Sequence, residues 1–280
     1  MSFNINVASA DDVARMADWA GDEGWNPGNT DALAFHAADP GAFLIGRLDG
    51  DPVTCISVVR YGAALGFLGF YIARPVVRGK GYGIKVWDAG MARLKGRNVG
   101  LDGVVAQQHN YKKSGFRSAW NNIRHEGPPA QSAVPKGVSL VDARGIGFDK
   151  LAAFDRRFFP EDRSSFLAPW ISLPERAAMV VVQDGKLVGF AVMRACRAAS
   201  RVGPLFADSP EIAGALVSAL ATRTGATAVA IDVPDRNKPA VMLAEQMGLK
   251  PSFETARMYT GPDPAVDYAG LFGVTSLELG

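Results

Sequence analysis

Cysteine, histidine, excess charge of one sign and long apolar runs are all scarce in this 280-residue chain. Its two cysteines, Cys55 and Cys196, and its three histidines show no ligand spacing, so neither a disulfide framework nor a metal site is expected. Since 30 basic residues nearly balance 28 acidic ones, the net charge of +2 does not favour a nucleic-acid partner. No stretch approaches the roughly 20 apolar residues of a membrane span, and no signal peptide is evident. We therefore expect a cytoplasmic protein without a membrane partner, in which both cysteines are buried free thiols.

Composition and repetition divide the chain into two predicted domains, residues 1–127 and 138–280, joined by a linker at residues 128–137. The linker contains three prolines and few residues that could join a core. Each half repeats one order of elements: hairpin, strand, loop and helix, strand, helix, strand. Each hairpin turns on an Asp-Gly pair, Asp49-Gly50 or Asp184-Gly185. This order predicts an α/β (α+β) fold, in which each domain has a mixed, mostly antiparallel sheet flanked by helices.

A glycine-rich, positively charged loop runs from Arg78 to Gly83, between a predicted strand and an amphipathic helix. Glycines let successive backbone N–H groups point to one side, and with the N-terminus of the next helix these groups form an anion site. Arg78 and Lys80 add positive charge there. The spacing matches neither a P-loop nor a dinucleotide fingerprint. The loop alone is compatible with a pyrophosphate site and with a simple turn that starts a helix.

With this loop in place, the first half resembles the GNAT superfamily of acyl-CoA-dependent N-acyltransferases. Two motifs carry the resemblance: the loop Arg/Gln-x-x-Gly-x-Gly/Ala, filled by Arg78, Gly81 and Gly83, and the signature Tyr-x-Lys-x-Gly-Phe, filled by Tyr111, Lys113, Gly115 and Phe116. The layout of the whole chain is similar to bacterial tandem-GNAT proteins, in which a degenerate second domain follows a functional one. The second half matches in element order only.

The resemblance implies a co-substrate, acetyl-CoA, and the residues that bind it. The loop would hold the pyrophosphate of coenzyme A, and the strand before it would pair through its backbone with the pantetheine arm. The implied binding residues are Phe70, Tyr71, Ile72, Ala73, Arg78, Gly79, Lys80, Gly81, Tyr82 and Gly83.

The two halves differ at two further places. The family motif Asn-x-x-Ala-x-x-Leu is missing from residues 104–110 but complete at residues 237–243, where Ala244 follows in place of Tyr111. The second half has no glycine at its equivalent helix start and carries Asp208 and Glu211 there. Carboxylates compete with a phosphate for the same N–H groups and repel it. We therefore expect only the first half to bind acyl-CoA.

Five residues are candidates for the chemistry and for acceptor binding. The resemblance implies that Tyr111 protonates the leaving thiolate as a general acid, although a half-buried tyrosine that packs on the sheet would look the same. Glu23, or its neighbour Asp22, is a candidate base, and Trp25 and Asn26 are candidates for an amine pocket. A solvated acidic helix end with Trp25 in the core is the simpler interpretation. A water chain could also replace a dedicated base.

The resemblance implies an acyl-CoA-dependent N-acyltransferase, with acetyl-CoA as donor, that transfers the acyl group directly to an amine in a ternary complex; proximity would be the main contribution to its rate. The amine belongs either to a small molecule or to a protein, and the oligomeric state is not set by the sequence. A non-catalytic acyl-CoA sensor is the alternative, and a structural protein that binds no CoA is a third reading. A basic cluster, Arg194, Arg197 and Arg201, is either a solvated face or a clamp for a carboxylate on the acceptor.

Overall fold

Thirteen strands and eight α-helices follow one another in a computed structural model that describes residues 1–280. The strands are β1 (Phe3–Val7), β2 (Phe43–Leu48), β3 (Asp51–Tyr61), β4 (Leu65–Ala73), β5 (Asn98–Val104), β6 (Arg117–Gly127), β7 (Val138–Asp142), β8 (Arg176–Gln183), β9 (Lys186–Arg194), β10 (Ser200–Ala207), β11 (Val229–Pro234), β12 (Lys250–Tyr259) and β13 (Leu271–Gly273). The helices are α1 (Ala10–Asp22), α2 (Asp31–Ala38), α3 (Tyr82–Arg93), α4 (Gln108–Lys113), α5 (Phe148–Asp155), α6 (Ser164–Ser172), α7 (Pro210–Thr224) and α8 (Lys238–Gln246). No helix is both long and apolar enough to span a membrane.

The local signals in the sequence lie where the elements begin and turn. Ser9 caps α1, and its hydroxyl and the Asp12 carboxylate form a reciprocal capping box. Ser209 caps α7, with proline at the first helical position. Both Asp-Gly pairs form two-residue hairpin turns with positive φ at each residue. The predicted hairpins are therefore confirmed.

All strands belong to one continuous mixed sheet, in the order β1-β2-β3-β4-β5-β12-β6-β11-β10-β9-β8-β7, with β13 added beside β10. Only the β4–β5 and β10–β11 pairs are parallel. The two halves, residues 1–127 and 138–280, therefore share a sheet instead of forming two separate ones. The segment between them, at 128–137, is irregular, but it does not separate them in space.

Two strands change places between the halves at the centre of this sheet. β12, the last long strand of the second half, pairs with β5 of the first half along Thr255↔Val104 to Tyr259↔Gly100. β6, the last strand of the first half, pairs with β11 of the second half and also with β12. Each half thus completes its part of the sheet with a strand from the other half. Without that strand, each half would have an unpaired edge at the centre of the sheet.

Helices cover both faces of the sheet. Because side chains alternate across a strand, Phe190 and Val192 of β9 join one apolar cluster while Ala191 and Met193 join another on the opposite face. The first cluster contains residues of both halves, including Phe35 of α2, whose ring stacks on Trp170 of α6 at 5.7 Å. The core on this face is therefore common to the two halves, which fixes their relative position.

The two cysteines differ from each other in burial. Cys55 is fully buried, and burial raises the pKa of its thiol well above the usual range. Its Sγ donates to the carbonyl of Phe70 at 3.1 Å. Cys196 is also free but only partly buried. The prediction of a buried thiol is confirmed for Cys55 and was wrong for Cys196, which lies in the loop between β9 and β10.

Candidate active site

A pocket of about 550 Å³ opens where β4 and β5 separate. It brings together most of the residues that the sequence singled out: Glu23, Trp25, Phe70, Tyr71, Ile72, Ala73, Arg78, Gly79, Gly81, Gly83 and Tyr111. Asn26, Lys80 and Tyr82 are not among the residues that line it. Because residues from four separate parts of the first half converge here, the pocket is the candidate active site.

One wall of the pocket is the edge of β4 beyond Leu68. The parallel pairing of β4 with β5 ends at Leu68↔Leu101. A bulge follows at once: Phe70 has φ 47°, and the register of β4 with β3 shifts there. Gly69 to Ala73 then line the pocket. Their peptide groups on this side have no strand partner, so an extended ligand can pair with them.

The glycine loop forms the part of the wall next to α3. Gly79 and Gly81 have φ 75° and 81°, a left-handed conformation that glycine adopts at no steric cost. Gly81 is the N-cap of α3, and no side chain bonds the amides of the first turn. These amides therefore remain available to an anion. Lys80 is exposed, and the ring of Tyr82 packs on Phe3 at 4.8 Å instead of lining the pocket.

Arg78 and Glu23 form an ion pair beside the glycine loop. Arg78 Nε also donates to the carbonyl of Ala73, the last residue of β4, at 2.8 Å. The candidate base and the candidate phosphate-binding cation are thus bonded to each other. Asp22, the other candidate base, pairs with Arg74 at 2.9 Å and does not line the pocket.

Tyr111 lies on the short helix α4 and lines the pocket. Its ring stacks on Trp87 of α3 at 5.7 Å and meets Phe116 edge-on at 6.5 Å. Burial, together with the nearby Tyr71, raises the pKa of the Tyr111 phenol to about 12. The hydroxyl is therefore protonated throughout the neutral range. Tyr111 therefore packs on the core and also lines the pocket, and its role as a general acid stays a prediction.

Comparisons with known proteins show the family of the chain. The acetyltransferase (GNAT) domain family matches residues 151–273. Holothin acyltransferase of Pseudoalteromonas sp. (strain SANK 73390) is 32% identical to the chain over 281 residues, which cover 100% of this chain and 95% of that protein. The chain belongs to the GNAT superfamily of N-acyltransferases.

Solved structures with the GNAT fold cover nearly the whole chain. One is a provisionally assigned acetyltransferase from Pyrococcus horikoshii, with a TM-score of 0.83 at 21% identity over 99% of this chain and 96% of that chain. Another is a tandem GNAT protein from the clavulanic acid biosynthesis pathway, with a TM-score of 0.63 at 16% identity over 94% and 100% of the two chains. At these identities the likeness establishes the fold. The matched GNAT domain lies in the second half, whereas the glycine loop lies in the first.

The second half of this GNAT protein also supplies residues to the pocket, and the sequence did not identify them. Phe253 and Thr255 of β12, and Leu277 and Glu278 of the segment after β13, line it. Phe253 and Thr255 are two residues apart in β12 and therefore lie on one face of the strand. No local pattern shows that β12 lies beside β5, so the sequence gave no signal for their position.

A first-half residue, Asp102 of β5, was missed as well. Its carboxylate is fully buried at the pocket and accepts hydrogen bonds from Arg257 and Asn122. Both of its oxygens are bonded to Arg257. Asp102 therefore joins strands and holds the wall of the pocket in place.

The equivalent helix start in the second half is occupied by its own side chains. The Ser209 hydroxyl accepts from the Ile212 amide, Asp208 pairs with Arg157 at 2.8 Å, and the Glu211 carboxylate lies in the first turn. Hydrogen bonds to Ser209 and to its own backbone lower the pKa of Glu211. The start of α7 therefore has a side-chain cap and negative charge, whereas the start of α3 has neither. This difference supports the expectation that the acyl-CoA site lies in the first half.

Asn26 does not face the pocket, contrary to its prediction as an acceptor residue. Its Nδ2 donates to the carbonyl of Ala199 at 2.9 Å, and its Oδ1 accepts from the amide of Ala198 at 3.0 Å. Both ends of the amide are thus bonded to the β9–β10 loop. Asn26 joins the halves, and Trp25 next to it remains the acceptor candidate from this region.

The basic cluster in the second half is neither a solvated face nor a carboxylate clamp. Arg194 is buried against Asp31, and Arg201 is buried against Asp232, so both belong to ion pairs inside the protein. Arg197 alone is exposed, and its charge meets Asp18 of α1. Their charges are satisfied by protein carboxylates: Arg194 and Arg197 pair with residues of the first half, and Arg201 pairs within the second half.

Proposed function

We propose that the protein transfers an acetyl group from acetyl-CoA to an amine in a ternary complex within this pocket. The observation that carries the proposal is one cavity that contains a strand edge without a strand partner, a helix start without a capping side chain, and a phenol. The free edge of β4 leads at one end to the bare N-terminus of α3, and Tyr111 lines the same cavity. The helix-start amides suit the pyrophosphate of an acyl-CoA molecule, the strand edge suits its pantetheine arm, and the hydrogen-bond donor suits its thioester sulfur.

The residues present fit coenzyme A. Gly79 and Gly81 leave open space where a side chain would stand, since a Cβ on either would meet nothing within 4 Å. At Gly83 a Cβ would lie 3.1 Å from the Tyr71 hydroxyl, so a side chain would crowd the wall of the pocket. The loop amides and Arg78 would hold the pyrophosphate, and Phe70 to Ala73 would hold the pantetheine arm through their peptide groups.

Tyr111 acts in this proposal as a hydrogen-bond donor to the departing sulfur. A phenol with its pKa raised to about 12 is a weaker acid than a thiol, whose ordinary pKa is about 8.5. Complete proton transfer to the thiolate is then uphill, whereas a hydrogen bond to it is favourable because the thiolate is charged. The role implied by the family resemblance is thereby narrowed from general acid to stabilisation of the leaving group.

The transfer step begins with the amine in its protonated form. The ammonium form loses one proton, and the free amine nitrogen attacks the thioester carbonyl carbon. The C–N bond forms, the C–S bond breaks, and the nitrogen loses a second proton as the thiolate gains one. Holding both substrates in one cavity supplies the largest part of the rate enhancement. The name of the 32% identical relative supplies one acceptor to try first, holothin.

The test is release of free thiol from acetyl-CoA with a panel of amines that includes holothin. Tyr111→Phe should lower kcat by about 10- to 100-fold, the usual range for a hydrogen bond to a charged group, and should leave the Kd for CoA within about threefold. Tyr268→Phe is the matched control, because its hydroxyl bonds only the carbonyl of Pro264, outside this pocket.

Two outcomes would overturn the proposal in different ways. Binding of CoA without turnover for any amine would favour the non-catalytic sensor. Absence of CoA binding in calorimetry would remove acyl-CoA from the account altogether. Full activity of Tyr111→Phe would leave transfer standing and remove only the role of the phenol.

A further inference from the structure

Glu278 is a buried carboxylate on the wall of the active-site pocket. Its side chain is only 2% exposed. Oε1 lies 3.4 Å from Arg201 Nη1, and Oε2 has no hydrogen-bond partner in the protein. A buried carboxylate oxygen without a partner is costly, because it has lost its water and gained nothing in exchange. Such a group points to a ligand that supplies the missing donor.

The segment that carries Glu278 is held rigidly at the start of the β4–β5 opening. The carbonyl of Glu278 lies against Gly69, the first residue beyond the last β4–β5 pair; a Cβ at Gly69 would be 2.1 Å from this oxygen. The Ser276 hydroxyl accepts from the amide of Glu278 at 3.2 Å. The Tyr61 hydroxyl donates to the Leu279 carbonyl at 3.0 Å. The position of Glu278 is therefore fixed by the fold.

The other carboxylates of the pocket are already satisfied. Asp102 is bonded on both oxygens by Arg257, and Glu23 is paired with Arg78. Glu278 shares Arg201 with Asp232, and the shorter Arg201 contact goes to Asp232. Glu278 Oε2 is therefore the buried carboxylate oxygen of this pocket that is still free to accept a proton or a hydrogen bond.

A second polar atom of the pocket is also unbonded. Thr255 Oγ1 is buried without a partner, and Thr255 lines the same cavity as Glu278. Apolar and aromatic side chains of Trp25, Phe253 and Leu277 line this cavity too. A carboxylate, a hydroxyl and aromatic faces together suit a protonated amine, which has N–H donors for the two oxygens and a charge that aromatic faces attract.

We propose that the acceptor is an amine that enters the pocket as its ammonium ion and binds to Glu278 of the second half. This inference rests on the proposed acetyl transfer, whose acceptor class it names. Glu278 Oε2 takes one proton from the ammonium group, which frees the nitrogen lone pair to attack the thioester carbon. The second proton lost by the nitrogen goes to the leaving sulfur, so Glu278, the thiol and the amide each hold one of the three N–H protons, and Glu278 then releases its proton to solvent.

The experiment compares wild type with Glu278→Gln on two acceptors of similar size. One is an alkylamine, which is protonated at neutral pH, and the other is an acyl hydrazide, which is neutral there. We expect kcat/KM for the alkylamine to fall by about 30- to 100-fold, while the value for the hydrazide and the Kd for CoA change by less than about threefold. Glu254→Gln is the matched control, since Glu254 lies on the exposed side of β12 and bonds Asn121.

Equal losses for both acceptors, or an unchanged alkylamine rate, would overturn the proposal. If Glu278→Gln does not fold, wild type alone decides. A dimethylamino analogue of the acceptor, protonated and unable to form a stable amide, should inhibit at least about tenfold better than its isopropyl isostere; equal inhibition would overturn the proposal. Absence of turnover in wild type with every amine would instead refute acetyl transfer itself, and Glu278 as an acceptor residue with it.

Discussion

Asp102 of β5 and Arg257 of β12 form a bidentate ion pair at the centre of the sheet. The Asp102 oxygens accept from Nε at 2.8 Å and from Nη2 at 2.6 Å. The pair joins a strand of the first half to the strand of the second half that completes it. One side of the active-site pocket, from Asp102 to Thr255, therefore exists only because the two halves exchange strands.

Removal of one partner of this pair should destabilise the protein strongly. Asp102→Asn leaves the buried Arg257 without its counter-charge, and loss of one partner of a buried pair costs about 3–5 kcal/mol. Urea unfolding measures this loss. Adding Arg257→Met to Asp102→Asn should recover part of the stability, because no unpaired charge remains. A single variant as stable as wild type would contradict the account of the strand exchange.

Because Glu23 and Arg78 form an ion pair, we expect substitutions of the two residues to have different effects on the Kd for CoA. Arg78→Ala removes positive charge from the loop and should weaken the Kd for CoA by about tenfold. Glu23→Gln frees the Arg78 guanidinium for phosphate and should leave the Kd unchanged or about twofold tighter. Calorimetry with CoA measures both, with Arg156→Ala in the second half as the control.

The same Glu23 variant tests the alternative base. Because the proton acceptor proposed above is Glu278, kcat of Glu23→Gln should stay within about threefold of wild type. A fall of about 100-fold or more, typical of a lost general base, would assign the proton to Glu23 instead.

Gly69 should tolerate no side chain. A Cβ there would lie 2.1 Å from the Glu278 carbonyl oxygen, and this is a backbone atom that cannot rotate away. Gly69→Ala should therefore cost about 1–3 kcal/mol and should lower kcat/KM for alkylamines by displacing Glu278. Gly147→Ala is the control, since a Cβ there meets nothing within 4 Å. Thermal unfolding and acceptor kinetics measure the two effects; a fully active Gly69→Ala would contradict the close contact.

Asp232 should make the stability of the protein depend on acidic pH. Burial alone would raise the pKa of Asp232, but Arg124, bonded at 2.8 Å, and Arg201 together lower it below its ordinary value. A depressed pKa contributes stability above the unfolded value of about 3.9, and this contribution is lost as pH falls below it. The difference in unfolding free energy between wild type and Asp232→Asn should therefore shrink from pH 6 to about pH 3.

Urea titrations at several pH values measure this difference. Asp184→Asn, in an exposed hairpin turn, is the control and should show a difference that stays constant with pH. A constant difference for Asp232→Asn as well would show that its ion pairs with Arg124 and Arg201 do not depend on its charge.

Much of the candidate active site was predictable because its signals are local. The positive φ values of the loop occur at Gly79 and Gly81, where glycine adopts them without steric cost. The helix α3 begins directly after Gly81. The Asp-Gly turns and serine caps fix where strands and helices begin for the same reason. Glu278 and Thr255 could not be predicted as site residues, since nothing near them in sequence distinguishes them from ordinary core positions.

The amino-acid sequence by itself determined the element order, the repeat and the glycine loop, because these depend on backbone preferences over a few residues. Only the tertiary structure decided that β6 and β12 change places and that Glu278 reaches the pocket. Pairing between strands depends on the shared core and on buried pairs such as Asp102 with Arg257, which join residues 155 positions apart. The alternation of side chains in β12 is compatible with several neighbouring strands, so the sequence of β12 alone does not determine which strands it pairs with.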